Sequence, residues 1–342
     1  MLDFIYPSPL QFAESIPAWA GMGDGIRAFR DQEYALALRE FDNLANQGDA
    51  DAQFFMGSLY QQGDGVVRNF ETALPWLEKA AKQNHHGALN ALGVIYAMEE
   101  NKHRDYAKSE QCFVNAAKKD IPEAHYNLAL LLANGLGTKK SLKGAAKYFQ
   151  KAADKGIAAA QHKVGKLYEY GEVVDTNLDE ALTWYLKSAE QGYAQAQLGL
   201  GLLYHHGKGV KEDNEIALHW FALAANQGIL EAQTVAANIY DNGLGIPRDR
   251  IKAFHWFSQA AEQGDENAQY ALGCKYDKGE GVPQDFILAY VWFNLAGSQG
   301  IKAAGRDREA LLKTMTPHQV EQAQELSRDY FQRYVVKPHV NY

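Results

Sequence analysis

The sequence predicts an all-α fold, a solenoid of stacked helix–turn–helix repeats with a period of 36 residues. Counting from Gly48 in steps of 36 residues reaches Gly300 without an insertion or deletion. The fourth residue after each of these eight repeat marks is an alanine: Ala52, Ala88, Ala124, Ala160, Ala196, Ala232, Ala268 and Ala304. Each period also contains two stretches with the helical spacing of apolar residues. A strict period of this length is typical of units that stack on their neighbours.

The first helix of each repeat is expected to pack closely against a second helix. Ala196, Leu200 and Tyr204 follow the spacing i, i+4, i+8 and therefore share one face. A glycine recurs beside this face, although glycine in a helix interior costs about 1 kcal/mol relative to alanine. The recurring glycines are Gly57, Gly93, Gly165, Gly201 and Gly273. Their repetition predicts a close approach between helices, because no Cβ intrudes.

The first helix ends in paired glycines, such as Gly207 and Gly209. Glycine there predicts the left-handed conformation that closes a helix. A phosphate-binding loop is the alternative, but these glycines follow a helix rather than a strand, and no GKS or GKT motif is present.

The second helix begins at a position that holds a good N-cap residue in seven repeats. These residues are Asn69, Asp105, Ser141, Asn177, Asp213, Asp249 and Asp285. A small–aromatic–small face follows, with Ala217, Trp220 and Phe221 in one copy. Because the aromatic residues recur with the repeat, we interpret them as core rather than as a ligand cage.

Four segments follow from these patterns. Residues 1–22 contain three prolines and are irregular, either loosely ordered or packed over the open end of the stack. Residues 23–48 form an N-terminal capping hairpin of two helices, and residues 49–302 form seven repeats. Residues 303–342 form C-terminal capping helices and a tail. Thr316, Pro317 and Gln319 predict a capping box at the start of the last helix.

The composition excludes several classes of function. A net charge of −8 disfavours a nucleic-acid partner, since no basic excess is available to release counterions. No apolar run is long enough to span a membrane. Cys112 and Cys274 lie too far apart in a stack to form a disulfide. The N-terminus lacks a basic region, so we expect a cytoplasmic location, or a periplasmic or secreted one if the true start carries a signal peptide.

The segment Ala261–Phe293, AEQGDENAQYALGCKYDKGEGVPQDFILAYVWF, resembles the Sel-one-like repeat of the tetratricopeptide superfamily. The resemblance covers about residues 49–300, and the tail Met315–Tyr330 is similar to the closing helix of many bacterial members. It implies a right-handed α/α superhelix that serves as a scaffold in protein complexes. A cysteine-rich branch is associated with β-lactam binding, but this chain lacks that branch's cysteine pair in each repeat.

The same resemblance implies that the first helices line a concave groove. The residues 6, 10 and 13 positions after each mark share one face, and their types vary from repeat to repeat. The candidate partner-binding residues on this face are Phe54, Asn90, Tyr126, His162, Lys166, Glu169, His205, Asn238, Asp241, Tyr270 and Asp277. Aromatic anchors between polar groups suit a peptide groove. A solvated surface without a partner is the alternative.

Three functions compete. The first is a non-enzymatic adaptor, monomeric and without cofactor or metal, that binds a protein or peptide in signalling, envelope regulation or host interaction. The second is a structural component of an envelope or secretion assembly. The third is a hydrolase of cell-wall material, which needs a nucleophile beside a base. The chain has no GxSxG, SxxK or HExxH motif, and Ser58 and His162 belong to different repeats.

A metal site at His85, His86, His103 and His125 matches no strong zinc spacing, so surface histidines are the favoured interpretation.

Overall fold

The computed structural model describes residues 4–6, 22–98, 101–102 and 104–336. Within these ranges the chain forms eighteen α-helices and no strand, so the predicted all-α class is confirmed. The chain divides into two compact units, which we call unit 1 (Met1–Asn177) and unit 2 (Leu178–Tyr342). None of the helices in the described ranges is long and apolar enough to cross a membrane.

The first unit contains nine helices that pack on one another in chain order. They are α1 (Gly23–Arg30), α2 (Tyr34–Asn46), α3 (Ala50–Gln62), α4 (Phe70–Lys82), α5 (His86–Ala97), α6 (Tyr106–Ala117), α7 (Pro122–Asn134), α8 (Leu142–Asp154) and α9 (Ala158–Tyr170). The N-terminal hairpin α1–α2 joins the first repeat through aromatic rings. Phe41 stacks on Phe55 with 4.6 Å between ring centroids, and Phe29 meets Phe55 edge-on at 5.6 Å.

The second unit contains the remaining nine helices. They are α10 (Leu178–Glu190), α11 (Ala194–His206), α12 (Asn214–Asn226), α13 (Leu230–Asn242), α14 (Arg250–Glu262), α15 (Glu266–Lys278), α16 (Phe286–Ser298), α17 (Lys302–Leu312) and α18 (Pro317–Phe331). The predicted capping box opens α18: the Gln319 amide donates to Thr316 Oγ1 over 3.3 Å, and the Thr316 amide donates to Gln319 Oε1 over 2.9 Å. A π-helical turn, Gln332–Val336, follows and stacks Tyr334 on Trp292.

Most residues predicted to begin the second helices and to end the first helices have the predicted conformations and contacts. Six of the predicted N-cap side chains accept a hydrogen bond from an amide in the first turn, as Asp213 does from Ile216 over 3.0 Å. The other five are Asn69, Asp105, Ser141, Asp249 and Asp285. Gly207, which ends α11, has φ +61° and therefore lies in the left-handed region that glycine adopts without strain.

The recurring helix glycines lie where the second helix approaches. A Cβ added to Gly201 would lie 2.5 Å from the Phe221 ring, and one added to Gly93 would lie 2.4 Å from the Phe113 ring. Real carbon atoms do not approach so closely without a shift. The interpretation as contact points between helices is therefore confirmed for Gly57, Gly93, Gly201 and Gly273.

A ladder of glutamines, which sequence reasoning missed, connects consecutive repeats. Within one repeat, the Gln227 side-chain amide donates to Gln197 Oε1 over 2.8 Å. The Gln197 side-chain amide then donates to the Ala189 carbonyl of the preceding repeat over 3.2 Å. In unit 1, Gln83 and Gln53 repeat the side-chain bond over 3.0 Å. Each bond satisfies a buried polar group, so the ladder fixes neighbouring repeats without leaving an orphaned amide.

One step of the ladder in unit 1 is replaced by other polar side chains. His125 and Lys155 occupy positions that hold glutamine in other repeats, and Asp120 occupies the mark that is usually glycine. Asp120 lies 3.0 Å from His125 Nε2 and 2.5 Å from Lys155 Nζ. Hydrogen bonds from Lys155 and His125 lower the Asp120 pKa to about 2.

The described part of the irregular N-terminal segment packs on three helices of unit 1. Phe4–Tyr6 pack against α5, α6 and α7 rather than over the open end at α1. The rest of residues 1–21 lies outside the described residues.

Candidate partner-binding surface

In unit 2, the predicted face forms an accessible strip on α13. Asn238 is exposed, and Thr234 and Asp241 are half-buried, at the spacing of 6, 10 and 13 residues after the mark. Five other positions of this helix are buried. The buried residues are Ala232, Gln233, Ala236, Ala237 and Ile239. The variable positions therefore lie on a part of α13 that solvent reaches.

The strip continues on the next first helix, α15. Tyr270 and Asp277 are half-buried there, and Lys275 Nζ contacts Asp241 Oδ1 over 2.6 Å, which joins α15 to α13. The Tyr270 hydroxyl donates to Asp307 Oδ2 over 2.8 Å. That hydrogen bond and partial burial raise the Tyr270 pKa, so the phenol stays protonated and able to donate.

Charged side chains surround Asp241 at one end of the strip. Arg248 Nη2 lies 3.5 Å from Asp241 and 3.8 Å from Glu280, and Arg250 lies 3.4 Å from Glu280. Lys275 differs from these residues, because only 2% of its surface is exposed. Asp241 is therefore both a candidate binding residue and the counter-ion of a buried lysine.

His205 is the candidate residue on α11. It is half-buried, and its Nδ1 lies 2.6 Å from the Asn214 side-chain oxygen at the start of α12. The ring is therefore held by the second helix of its own repeat. This arrangement leaves part of the imidazole on the surface but fixes its orientation.

In unit 1, the candidate residues six positions after the mark are buried. Phe54 stacks on His85 with 4.5 Å between ring centroids, and Tyr126 packs against Phe149 at 5.6 Å. His162 is also buried, and desolvation lowers its pKa to about 3, so the ring is uncharged at neutral pH. Asn90 is the fourth of these buried residues.

The candidates Lys166 and Glu169 on α9 remain accessible. Lys166 is exposed, and its ammonium lies 5.7 Å from the centroid of the Tyr170 ring. Glu169 is half-buried. The face of unit 1 thus keeps one polar accessible end, while most of its other candidates belong to the packed interior.

The buried Asn90 lies under the chain's own N-terminal segment. Asn90 Nδ2 donates to the Ile5 carbonyl over 3.4 Å, and the neighbouring Asn127 makes two shorter bonds to Ile5, each of 2.8 Å. Sequence reasoning missed Asn127, although a signal was present. The position seven residues after the mark is apolar or glycine in five of the other six repeats: Phe55, Ala91, Gly199, Val235 and Ala271.

The histidines singled out in the sequence have local structural roles. The His85 ring accepts the Ala88 amide over 3.0 Å at the start of α5, and its other nitrogen lies 3.1 Å from Asp51. His125 belongs to the Asp120 cluster, and His103 lies outside the described residues. Among the residues that the structure describes, no group of three or more His, Cys, Asp or Glu side chains could hold a metal ion.

The comparison with protein families identifies this architecture. The Sel1 repeat family matches residues 50–85, 122–157, 158–193, 194–229, 230–265 and 267–301, more than half of the chain. The chain therefore belongs to the Sel1 repeat family. The repeat at 86–121, which lacks the paired glycines, is not among the matched segments. Sel1 repeat proteins are generally protein-interaction scaffolds.

Two solved structures resemble the chain along most of its length. A Sel1 repeat protein from Oxalobacter formigenes is 29% identical, with 91% of this chain and 96% of that chain covered and a TM-score of 0.64. A protective antigen present in uropathogenic Escherichia coli strains, which displays an SLR fold, is 28% identical, with 96% and 79% covered and a TM-score of 0.54. The comparison with curated proteins gives no match.

Proposed function

We propose that this protein is a non-enzymatic scaffold that binds a protein or peptide partner through the first-helix faces of its repeats. The observation that carries this proposal is the strip on α13 and α15. Two consecutive first helices each bury five residues, whereas Asn238 is exposed and Tyr270 and Asp277 are half-buried. An amide, a phenol and a carboxylate on two consecutive first helices suit recognition of a polypeptide.

The chemistry of the potential nucleophiles also favours a scaffold. Burial raises the Cys112 pKa to about 11 and raises that of Cys274, so both remain thiols at neutral pH, and thiols are weak nucleophiles. Ser58, the serine considered for hydrolysis, is 1% exposed. The setting we propose is cytoplasmic, in bacterial signalling, envelope regulation or host interaction, and fractionation of the native host tests that location.

The test is recovery of partners from the native host with wild-type protein and with Asn238→Arg/Asp277→Lys. We expect proteins that the wild type recovers to be lost from the variant. Gln259→Arg, an exposed change on the second helix α14, is the matched control and should keep every partner. Asp241 is not replaced in this variant, because its removal would also leave the buried Lys275 without its carboxylate partner. Equal recovery by all three proteins would contradict binding through this strip.

A further inference from the structure

The segment Phe4–Tyr6 crosses the first helices α5 and α7 in unit 1. Hydrogen bonds to the backbone of its central residue, Ile5, hold it there. The Ile5 amide donates to Asn127 Oδ1 and Asn127 Nδ2 donates to the Ile5 carbonyl, both over 2.8 Å. One side-chain amide therefore satisfies both backbone groups of a single residue. Such pairing recognises an extended main chain, whatever the side chain of the central residue.

The two asparagines are buried and hydrogen-bonded to each other. Asn127 and Asn90 are each 0% exposed, and Asn127 Nδ2 also donates to Asn90 Oδ1 over 3.0 Å. A buried amide that is left without hydrogen-bond partners is unfavourable. Asn127 lies where most other repeats have an apolar residue or glycine, so the solenoid does not require an amide there. Its bonds to Ile5 supply a reason for its presence.

The residues on either side of Ile5 enter apolar surroundings. Phe4 stacks on Phe113 with 6.0 Å between ring centroids, and it packs with Tyr6 against a cluster that includes Val94 and Leu128. The Tyr6 hydroxyl donates to Met98 Sδ over 3.0 Å. Side chains two residues apart in an extended segment point to the same side. The contacts therefore place an aromatic residue on each side of a central residue that is held through its backbone.

We propose that the surface formed by Asn90, Val94, Met98, Phe113, Asn127 and Leu128 is a recognition site for an extended aromatic–aliphatic–aromatic segment of a partner protein, and that Phe4–Tyr6 is its resident competitor. A tethered segment acts at a high effective concentration, which keeps the site filled until a partner competes. The buried asparagines favour replacement by another peptide backbone over an empty site. This proposal rests on the scaffold function but uses a surface distinct from the strip on α13 and α15.

The test measures fluorescence anisotropy of a labelled peptide with the sequence of residues 2–8, LDFIYPS, added to the full chain. The proteins are the wild type and Phe4→Ala/Tyr6→Ala, which weakens the resident segment. We expect the variant to bind the peptide at least tenfold more tightly, because the competitor has lost its aromatic anchors. Circular dichroism of both proteins checks that the fold is retained.

A second probe replaces the amide between Phe and Ile by an ester, which removes only the donor to Asn127 Oδ1. The ester should bind the double variant about fivefold more weakly or worse, because one buried hydrogen bond is lost. This change is in the ligand, so the result does not depend on the folding of an asparagine variant. Equal binding of the two probes, or no tighter binding by the double variant, would overturn the proposal. Partner recovery through Asn238 and Asp277 would stand independently of that result.

Discussion

The buried pair of Lys275 and Asp241 gives a sharp test of how this solenoid tolerates charge. Lys275 occupies a core position that holds leucine or isoleucine in the other repeats. The equivalent residues are Leu59, Ile95, Leu131, Leu167, Leu203 and Ile239. The Lys275 Nζ atom lies 2.6 Å from Asp241 Oδ1 and 5.4 Å from the centroid of the Phe257 ring. Asp241→Ala removes the carboxylate and leaves the ammonium in the core.

The expected destabilisation follows from the burial of the two partners. Removing one member of a buried ion pair typically costs about 3–5 kcal/mol. The Asp241 side chain is 24% exposed, so water reaches the vacated position, and we expect the lower end, about 3 kcal/mol. Replacing a whole buried pair by apolar residues is often neutral or stabilising. Asp241→Ala/Lys275→Leu should therefore recover wild-type stability or exceed it.

The assay is urea denaturation followed by circular dichroism, with hydrogen exchange of the α15 amides as the local measurement. Asp277→Ala is the matched control, since Asp277 has the same position in the next repeat, and it should change stability by about 0.5 kcal/mol or less. If Asp241→Ala is as stable as this control, or if Lys275→Leu fails to rescue it, Lys275 does not depend on its carboxylate and the reasoning is refuted.

Three further predictions concern packing, reactivity and acid. Gly201→Ala should destabilise the protein by about 1–3 kcal/mol in thermal or urea unfolding, since the new Cβ would lie 2.5 Å from an aromatic ring. Gly305→Ala, in α17 with open space around it, should instead be neutral or stabilising. Alkylation of Cys112 at pH 8, in a variant where it is the only cysteine, should be about a hundredfold slower in the native than in the unfolded protein, because burial raises its pKa to about 11. Asp120, whose pKa is lowered to about 2 chiefly by Lys155, contributes stability that is present above pH 4 and is lost as the pH falls towards 2. The difference in unfolding midpoint between wild type and Asp120→Asn should therefore shrink over that range, and a constant difference would contradict the assigned pKa.

The sequence by itself determined the fold class, the repeat length, the starts of most second helices and the ends of most first helices. These features depend on local signals that recur in register, such as the cap at Asp213 and the left-handed Gly207. A cap acts within one turn and needs no distant partner. The Gly201 contact was also predictable, because a glycine repeated in a helix interior indicates what lies against it.

Only the tertiary structure decided which variable positions are accessible. Tyr126 and Tyr270 have the same residue type and the same position in their repeats. Tyr126 is nevertheless 1% exposed, whereas Tyr270 is half-buried and bonded to Asp307. Both rings pack on the equivalent aromatic residue of the second helix, Tyr126 on Phe149 at 5.6 Å and Tyr270 on Phe293 at 5.9 Å, so this contact does not account for the difference. Register alone does not contain that information.

The contact between Ile5 and Asn127 was beyond sequence reasoning for a related reason. The two residues lie 122 positions apart, and the N-terminal segment has no period that relates it to the repeats. Helical spacing identifies a face, but the occupant of that face depends on where an aperiodic segment returns to the stack. The repeats therefore determined the framework, and long-range packing determined which parts of it are open to a partner.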